Sequence, residues 1–263
     1  MRNLFGGGMM KQLVMYSGGV GSWAAASRLL QLHPTEDVAL LFTDTKMEDE
    51  DLYRFLHESA DDLGCELVVI SDGRDPWEVF MDVRYLGNTR ADPCSRILKR
   101  EIARKWVDKN YEAGEVTVNF GIDWSEQNRM VAVAERWKPH LTNAPMVEPP
   151  LMNKNEMVRS LAAHGIAPPR LYSMGFPHNN CGGFCIKAGQ AQFRLLLEQF
   201  PCRYAGHERK EQELREHLGK DVAILRDRTG GTTKPMTMKA FRERIQSGGD
   251  FDLYDWGGCG CFA

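Results

Sequence analysis

Two hydrophobic patterns alternate along the chain. Short unbroken apolar runs, which suit strands buried on both faces of a parallel sheet, begin at Val14, with ordered structure expected from near Gln12. They recur at Val38 to Phe42, Leu67 to Ile70 and Val116 to Phe120. Between them lie segments with apolar residues at helical spacing. Trp23 to Leu32 stops at His33-Pro34, the acidic Glu48 to Asp51 leads a helix through Leu63, and Ile97 to Trp106 is basic and amphipathic. Strands and helices in alternation predict an α/β fold with a doubly wound, mainly parallel sheet.

After Pro149-Pro150 the character changes. Asn155 to His164 reads as a helix with Asn153 as N-cap and Gly165 as its stop, before Pro168-Pro169. The chain then becomes rich in Gly and Cys. Gln190 to Phe200 and His207 to Leu218 keep helical spacing, the second with a charged, solvated face. The expected organisation is a leader over residues 1–11, one Rossmann-like α/β domain over 12–190, and a helical and irregular Cys/Gly-rich extension over 191–263.

A chain of 263 residues with 43% apolar content can bury a large core, so disorder is not its default. The net charge of -3 supplies no global footprint for nucleic acid, which leaves a local basic face as the route to that partner. No apolar run approaches the ~18 residues that span a bilayer, and MRNLFGGGMM lacks the zones of a signal peptide, so a cytoplasmic protein without membrane attachment is expected. Seven cysteines in such a chain read as thiols, metal ligands or redox groups, not as a disulfide framework. Cys65 and Cys202, in apolar surroundings, read as core residues.

The chemistry starts at Ser17-Gly18-Gly19-Val20-Gly21-Ser22, between the first strand and the first helix. Glycines permit positive φ and close backbone approach, and the amides and positive dipole end of the following helix suit an anion. A plain turn with Ser22 as N-cap would look similar, and the Lys-Ser/Thr end of a Walker loop is absent. The stretch resembles the SGGxDS loop of the PP-loop, or adenine nucleotide alpha hydrolase-like, superfamily, where it grips the pyrophosphate of ATP or the phosphosulfate of an activated sulfate nucleotide.

Three further stretches in the right order resemble the phosphoadenosine phosphosulfate reductase family of that superfamily. Pro93 to Lys99, PCSRILK, is similar to its Cys-x-x-x-Lys helix start. Gly121 to Arg129, GIDWSEQNR, is similar to its G-x-R-x-x-E-S-x-x-R loop. Pro150 to Cys185 is similar to its Pro-Leu, helix, Leu-Tyr-x-x-Gly-Phe and paired-Cys run, here Leu171 to Phe176 before Cys181 and Cys185. The resemblance covers roughly residues 12 to 190. It implies an adenine-nucleotide ligand, ATP or phosphoadenosine phosphosulfate, held by Ser17, Gly18, Gly19, Val20, Gly21, Ser22, Gly121 and Arg129. Arg96, Lys99 and Arg129 are candidates for neutralising the ligand's anionic groups, Arg96 and Lys99 favoured by their place in a family-like motif; Asp44 and Glu126 are candidates to orient a ribose hydroxyl or Mg2+, although each would serve equally as a helix cap.

The departures limit the inheritance. Gly21 stands where ATP-cleaving members have Asp, and Asp123 stands at the family's Arg. Cys94 is single where iron-sulfur-containing sulfonucleotide reductases have adjacent cysteines, and Cys181 and Cys185 are spaced C-x-x-x-C. Cys94, Cys181 and Cys185 with one tail cysteine would meet the four-ligand requirement of Zn2+ or an iron-sulfur cluster; separate thiols are the plain alternative. His178 beside Cys181 is a further nitrogen ligand candidate or a hydrogen-bonding loop residue. The tail, Gly257-Gly258-Cys259-Gly260-Cys261, is similar to the reductases' Glu-Cys-Gly end only as a late, Gly-flanked thiol segment.

Three functions follow from this reading. In the first, the Cys259 or Cys261 thiolate attacks a sulfonucleotide, and a thiol reductant such as thioredoxin or glutathione resolves the adduct. In the second, an ATP pyrophosphatase step adenylates a nucleobase or nucleic-acid acceptor. In the third, the fold survives as a nucleotide-sensing subunit. The oligomeric state, a homo-oligomer included, stays open.

Overall fold

The computed structural model describes residues 10–87 and 91–258. The first half is built as strand, helix, strand: β1 (Lys11–Met15), α1 (Val20–Leu29), β2 (Val38–Asp44), α2 (Glu50–Leu63), β3 (Glu66–Ser71) and α3 (Pro76–Asp82). A helical stretch follows in which α4 (Pro93–Ser95) and α5 (Ile102–Asn110) flank a π-helical turn, Arg96–Glu101. Then come β4 (Val116–Phe120), α6 (Arg129–Trp137), β5 (Leu141–Asn143) and α7 (Lys154–Ala163).

The five strands form one parallel sheet in the order β3-β2-β1-β4-β5. In β1 and the residue that follows it, Leu13 and Met15 face one side while Val14 and Tyr16 face the other, and all four are buried, which is why the run reads as continuously apolar. Val14, Leu40 and Phe42 pack against Trp23 of α1, Phe55 and Leu56 of α2, and Leu161 of α7. Leu13, Leu41 and Val118 pack on the opposite face with Val107 of α5 and Trp137 of α6. The sheet is therefore doubly wound. Strand β3 differs from the buried strand expected at Leu67 to Ile70: it lies at the sheet edge and Val69 is 49% exposed.

The helix starts are chemically legible. Asp49 caps α2 by accepting from the Asp51 amide, and Asn153 with Glu156 makes a reciprocal capping box at α7. Asp49 also receives Arg170 at 2.8 Å and Arg203 at 3.0 Å, so a carboxylate with no exposed surface joins α2 to the later part of the chain.

That later part holds α8 (Arg170–Ser173), α9 (Gln190–Gln199), α10 (Pro201–Leu218), an antiparallel pair β6 (Leu225–Asp227) and β7 (Lys234–Met236), and α11 (Met238–Gln246). Phe193, Tyr204, Leu214 and Phe241 share one hydrophobic cluster with Trp77 and Phe80 of α3 and Phe184. Glu211, 1% exposed, accepts from the amides of Ile224 and Met238 and so holds β6 and α11 to α10. Of the two cysteines expected in the core, Cys65 is half-buried against the first cluster, whereas Cys202 is exposed in the first turn of α10, where it follows the N-terminal Pro201.

Candidate functional site

The strand order reverses between β1 and β4, and Met15 is in register with Phe120. The loops that follow these two strands therefore emerge side by side, which is where open α/β sheets bind ligands. Their glycines make the approach close. A Cβ at Gly121 would lie 2.6 Å from the Ser22 amide nitrogen, and one at Gly21 would lie 3.0 Å from the Gly121 carbonyl oxygen. Gly21 thus goes with a second loop that leans directly on the first.

Helix α1 starts at Val20 with Gly19 as N-cap and no side chain capping it. Ser22 turns its hydroxyl back to the Gly19 carbonyl at 2.9 Å. A ten-residue helix thereby presents its amide end to the seam with no side-chain acceptor on it.

An open cleft of about 240 Å³ lies over this seam. Ser17, Gly19, Val20, Gly21 and Ser22 form its floor, and Gly121, Asp123, Glu126 and Arg129 one wall. Glu126 and Arg129 pair with each other at 2.5 Å. Lys154, Tyr172, His178 and Asn179 form the facing wall. Lys154 is an exposed residue, yet its Nζ sits 4.0 Å from the Tyr172 ring centroid and donates to the Pro177 carbonyl; desolvation brings its pKa down to about 8. Burial, with the nearby charges of Lys154 and Lys99, takes His178 down to about 4, so its imidazole is neutral at physiological pH. Asn179, 2% exposed, donates Nδ2 to the Gly18 carbonyl. Neither Asn179 Oδ1 nor His178 Nδ1 meets a hydrogen-bond partner among the described residues.

The structure gathers most of the loop residues named from sequence, Arg129 among them, and places Arg96 and Lys99 elsewhere. Gly18, at φ +73°, supports the floor from behind through its contact with Asn179. Asp44 does not line the cleft: burial pushes its carboxyl up, but hydrogen bonds from Lys46 and Tyr53 outweigh this and hold it below the usual range. Arg96 is also outside the cleft, paired with Glu101 at the surface. Lys99 is 2% exposed and bound to Glu48 at 3.3 Å. The buried Glu48 carboxylate, which also accepts from the Thr45 hydroxyl and the Cys181 amide, draws this ammonium inward. Lys154 and Asn179 were not singled out from sequence; the Leu-Tyr-x-x-Gly-Phe stretch that carries Tyr172 is the signal that pointed at this wall.

The loop that supplies Pro177 to Asn180 to the cleft continues as Cys181 to Lys187 along a second, narrow and apolar pocket. Cys94, Cys181 and Cys185 all line it, with Met47, Phe80 and Phe184. These are the three cysteines expected to converge on a metal; no three His, Cys, Asp or Glu side chains among the described residues are arranged to hold an ion. The segment 255–258 is tied to the same loop. Gly258 donates to the Lys187 carbonyl at 3.0 Å, Gly257 bridges Ala188, and Asp255 accepts from the amides of Gln190 and Ala191. Cys259 and Cys261 lie outside the described residues.

No protein-family model matches the chain, nor does any curated protein. Among solved structures, it is similar to phosphoadenylyl-sulfate (PAPS) reductase from Candida auris in a phosphate complex, with a TM-score of 0.45 and 14% identity over 64% of this chain and 80% of that one. It is also similar to a protein from Methanocaldococcus jannaschii described as a predicted subunit of a tRNA methyltransferase, with a TM-score of 0.36 and 16% identity over 66% of this chain and 95% of that one.

Proposed function

We propose that the chain is an adenine-nucleotide-binding enzyme similar to the phosphoadenosine phosphosulfate reductase family, acting on a sulfonucleotide or ATP in sulfur- or nucleotidyl-transfer chemistry. The observation that carries this reading is the uncapped α1 N-terminus at the β1/β4 reversal, with two glycine loops in contact and a cleft above them. Such an arrangement gives an anion fixed N–H donors in an open α/β sheet. The ordered motifs supply the adenine nucleotide as the ligand class.

Within this reading the loop amides would bind the polyanion and Arg129 would add charge from the second loop. Of the two carboxylates considered for Mg2+, Glu126 lines the cleft and Asp44 does not. Among the described residues no three side chains are arranged as ligands for Zn2+ or an iron-sulfur cluster, so no step is derived through a metal. Gly21, crowded by the Gly121 carbonyl, weighs against ATP cleavage assisted by a carboxylate at that position. The attachment of Gly257 and Gly258 beside the cysteine pocket favours the sulfonucleotide branch, in which a tail thiolate would take the sulfo group as an S-sulfonate while the nucleotide phosphate leaves, and a dithiol reductant would then release sulfite and end as a disulfide.

Calorimetric titration with ATP and with phosphoadenosine phosphosulfate tests the site. Gly19→Val puts bulk where a Cβ already lies 3.1 Å from the Tyr172 hydroxyl, and it is expected to abolish binding while the fold persists. Unchanged affinity in that variant would remove the glycine loop from the site. Labelled ATP then sorts the chemistry: steady pyrophosphate release marks ligation, thiol-dependent sulfite release from the sulfonucleotide marks reduction, and binding without either marks a sensor.

A further inference from the structure

The cleft has a cation that no sequence motif identified. Lys154 is the first residue of α7, and its Nζ rests 4.0 Å from the Tyr172 ring centroid with the Pro177 carbonyl as acceptor. Tyr172 leans over the phosphate loop, since its hydroxyl lies 3.1 Å from where a Gly19 side chain would begin. The ammonium therefore stands on the platform that roofs the loop amides. The same loop carries two buried polar atoms, Asn179 Oδ1 and His178 Nδ1, without a hydrogen-bond partner among the described residues.

We infer that Lys154 is a ligand-binding residue, and that the cleft takes a ligand with at least two adjacent anionic groups, one on the α1 amides and one on the Lys154 ammonium. The inference rests on the nucleotide reading above and deepens it by naming the residue that would hold the second anionic group of that ligand. An ammonium held on an aromatic face and a single carbonyl has donors to spare, whereas Lys99 is bound to Glu48. Its environment also makes it a titrating cation. Asp123, Glu126 and Arg129 face it from the β4 loop, Tyr172 from α8, and His178 from the loop beside it. Burial already leaves His178 neutral at pH 7. Desolvation sets Lys154 at about 8, so its charge is lost over about pH 7 to 9 and anion affinity falls as pH rises.

Calorimetry with inorganic pyrophosphate, ATP, phosphoadenosine phosphosulfate and AMP over pH 7 to 9 tests this. Wild-type affinity for pyrophosphate and ATP is expected to fall about tenfold across the range. Lys154→Met should bind both about tenfold or more weakly at pH 7, with a flat profile, and bind AMP nearly as wild type does. Lys154→Arg, permanently charged, should keep the affinity and lose the slope. Failure of wild type to bind any of the four ligands would overturn the nucleotide reading itself. Binding by wild type with the same affinity and slope in Lys154→Met would overturn the role of Lys154 alone, as would a wild-type slope in Lys154→Arg should the Met variant not fold.

Discussion

Asn179 donates its side-chain amide to the carbonyl of Gly18 at 2.9 Å, across 161 positions of sequence. The bond ties the loop that borders both the cleft and the cysteine pocket to the turn that begins the phosphate cradle. Asn179→Ala leaves that buried carbonyl without its donor and should cost about 1 to 2 kcal/mol. Asn179→Asp removes the donor while keeping the size. Both are expected to weaken nucleotide binding; native affinity in the Asp variant would show that the bond does not hold the cradle in shape.

Gly121 permits the two loops to touch. Gly121→Ala would place a methyl 2.6 Å from the Ser22 nitrogen, where the obstacle is backbone and must move as a unit. The expected cost is about 1 to 3 kcal/mol with loss of nucleotide binding. Gly206→Ala is the matched control: it lies in α10 with open space around its Cβ and should raise stability by roughly 0.5 to 1 kcal/mol. Equal melting temperatures for the two variants would refute the close-packing argument.

His207 makes stability depend on pH. Its Nδ1 accepts from Trp77 at 2.9 Å, its ring stacks on Phe184, and burial followed by the Arg203 charge lowers its pKa to about 3. A folded pKa below the unfolded one means the contribution is complete above about pH 6.5 and is lost as pH falls toward 3. Urea denaturation at pH 6.5 and pH 5 should therefore show wild type losing about 2 kcal/mol more than His207→Gln. Parallel losses in both proteins would assign the acid sensitivity elsewhere.

The tail attachment depends on Gly257. At φ +67° and with a Cβ position 2.2 Å from the Lys187 carbonyl oxygen, it has no room for a side chain. Gly257→Ala should release the segment. Hydrogen exchange would then accelerate at the amides of Gln190 and Ala191, which both lean on Asp255. Retained protection at both would mean the tail is held by Asp255 without the Gly257 contact.

The parts legible in the sequence are those fixed by local chemistry: the unbroken strands, the N-cap at Asn153, the glycine loop. Tertiary context decided the rest. Edge position made β3 half-exposed, and nothing within Leu67 to Ile70 encodes which neighbours it will have. Strand β5 is three residues long, and α3 is seven residues opened by Pro76, both too short for a periodic signal. Arg96 and Lys99 carried the right charge for an anion, but the buried Glu48 claimed one and Glu101 the other. Lys154 looked like any solvated residue at a helix start until the fold brought Tyr172 beneath it.

The strand order also sets when the cleft comes into being. Strand β1 meets β2 after a short excursion through α1, but its other partner arrives only with β4, where Met15 aligns with Phe120 about 105 residues later. Non-local pairings demand loop closure before they return any contact energy, and they slow folding. The β1-β2-β3 ladder is able to form while the chain beyond it is still being synthesised. The phosphate loop is then exposed on a half-built sheet, and the Gly21 to Gly121 contact, with everything that stands above it, belongs to the late steps of folding.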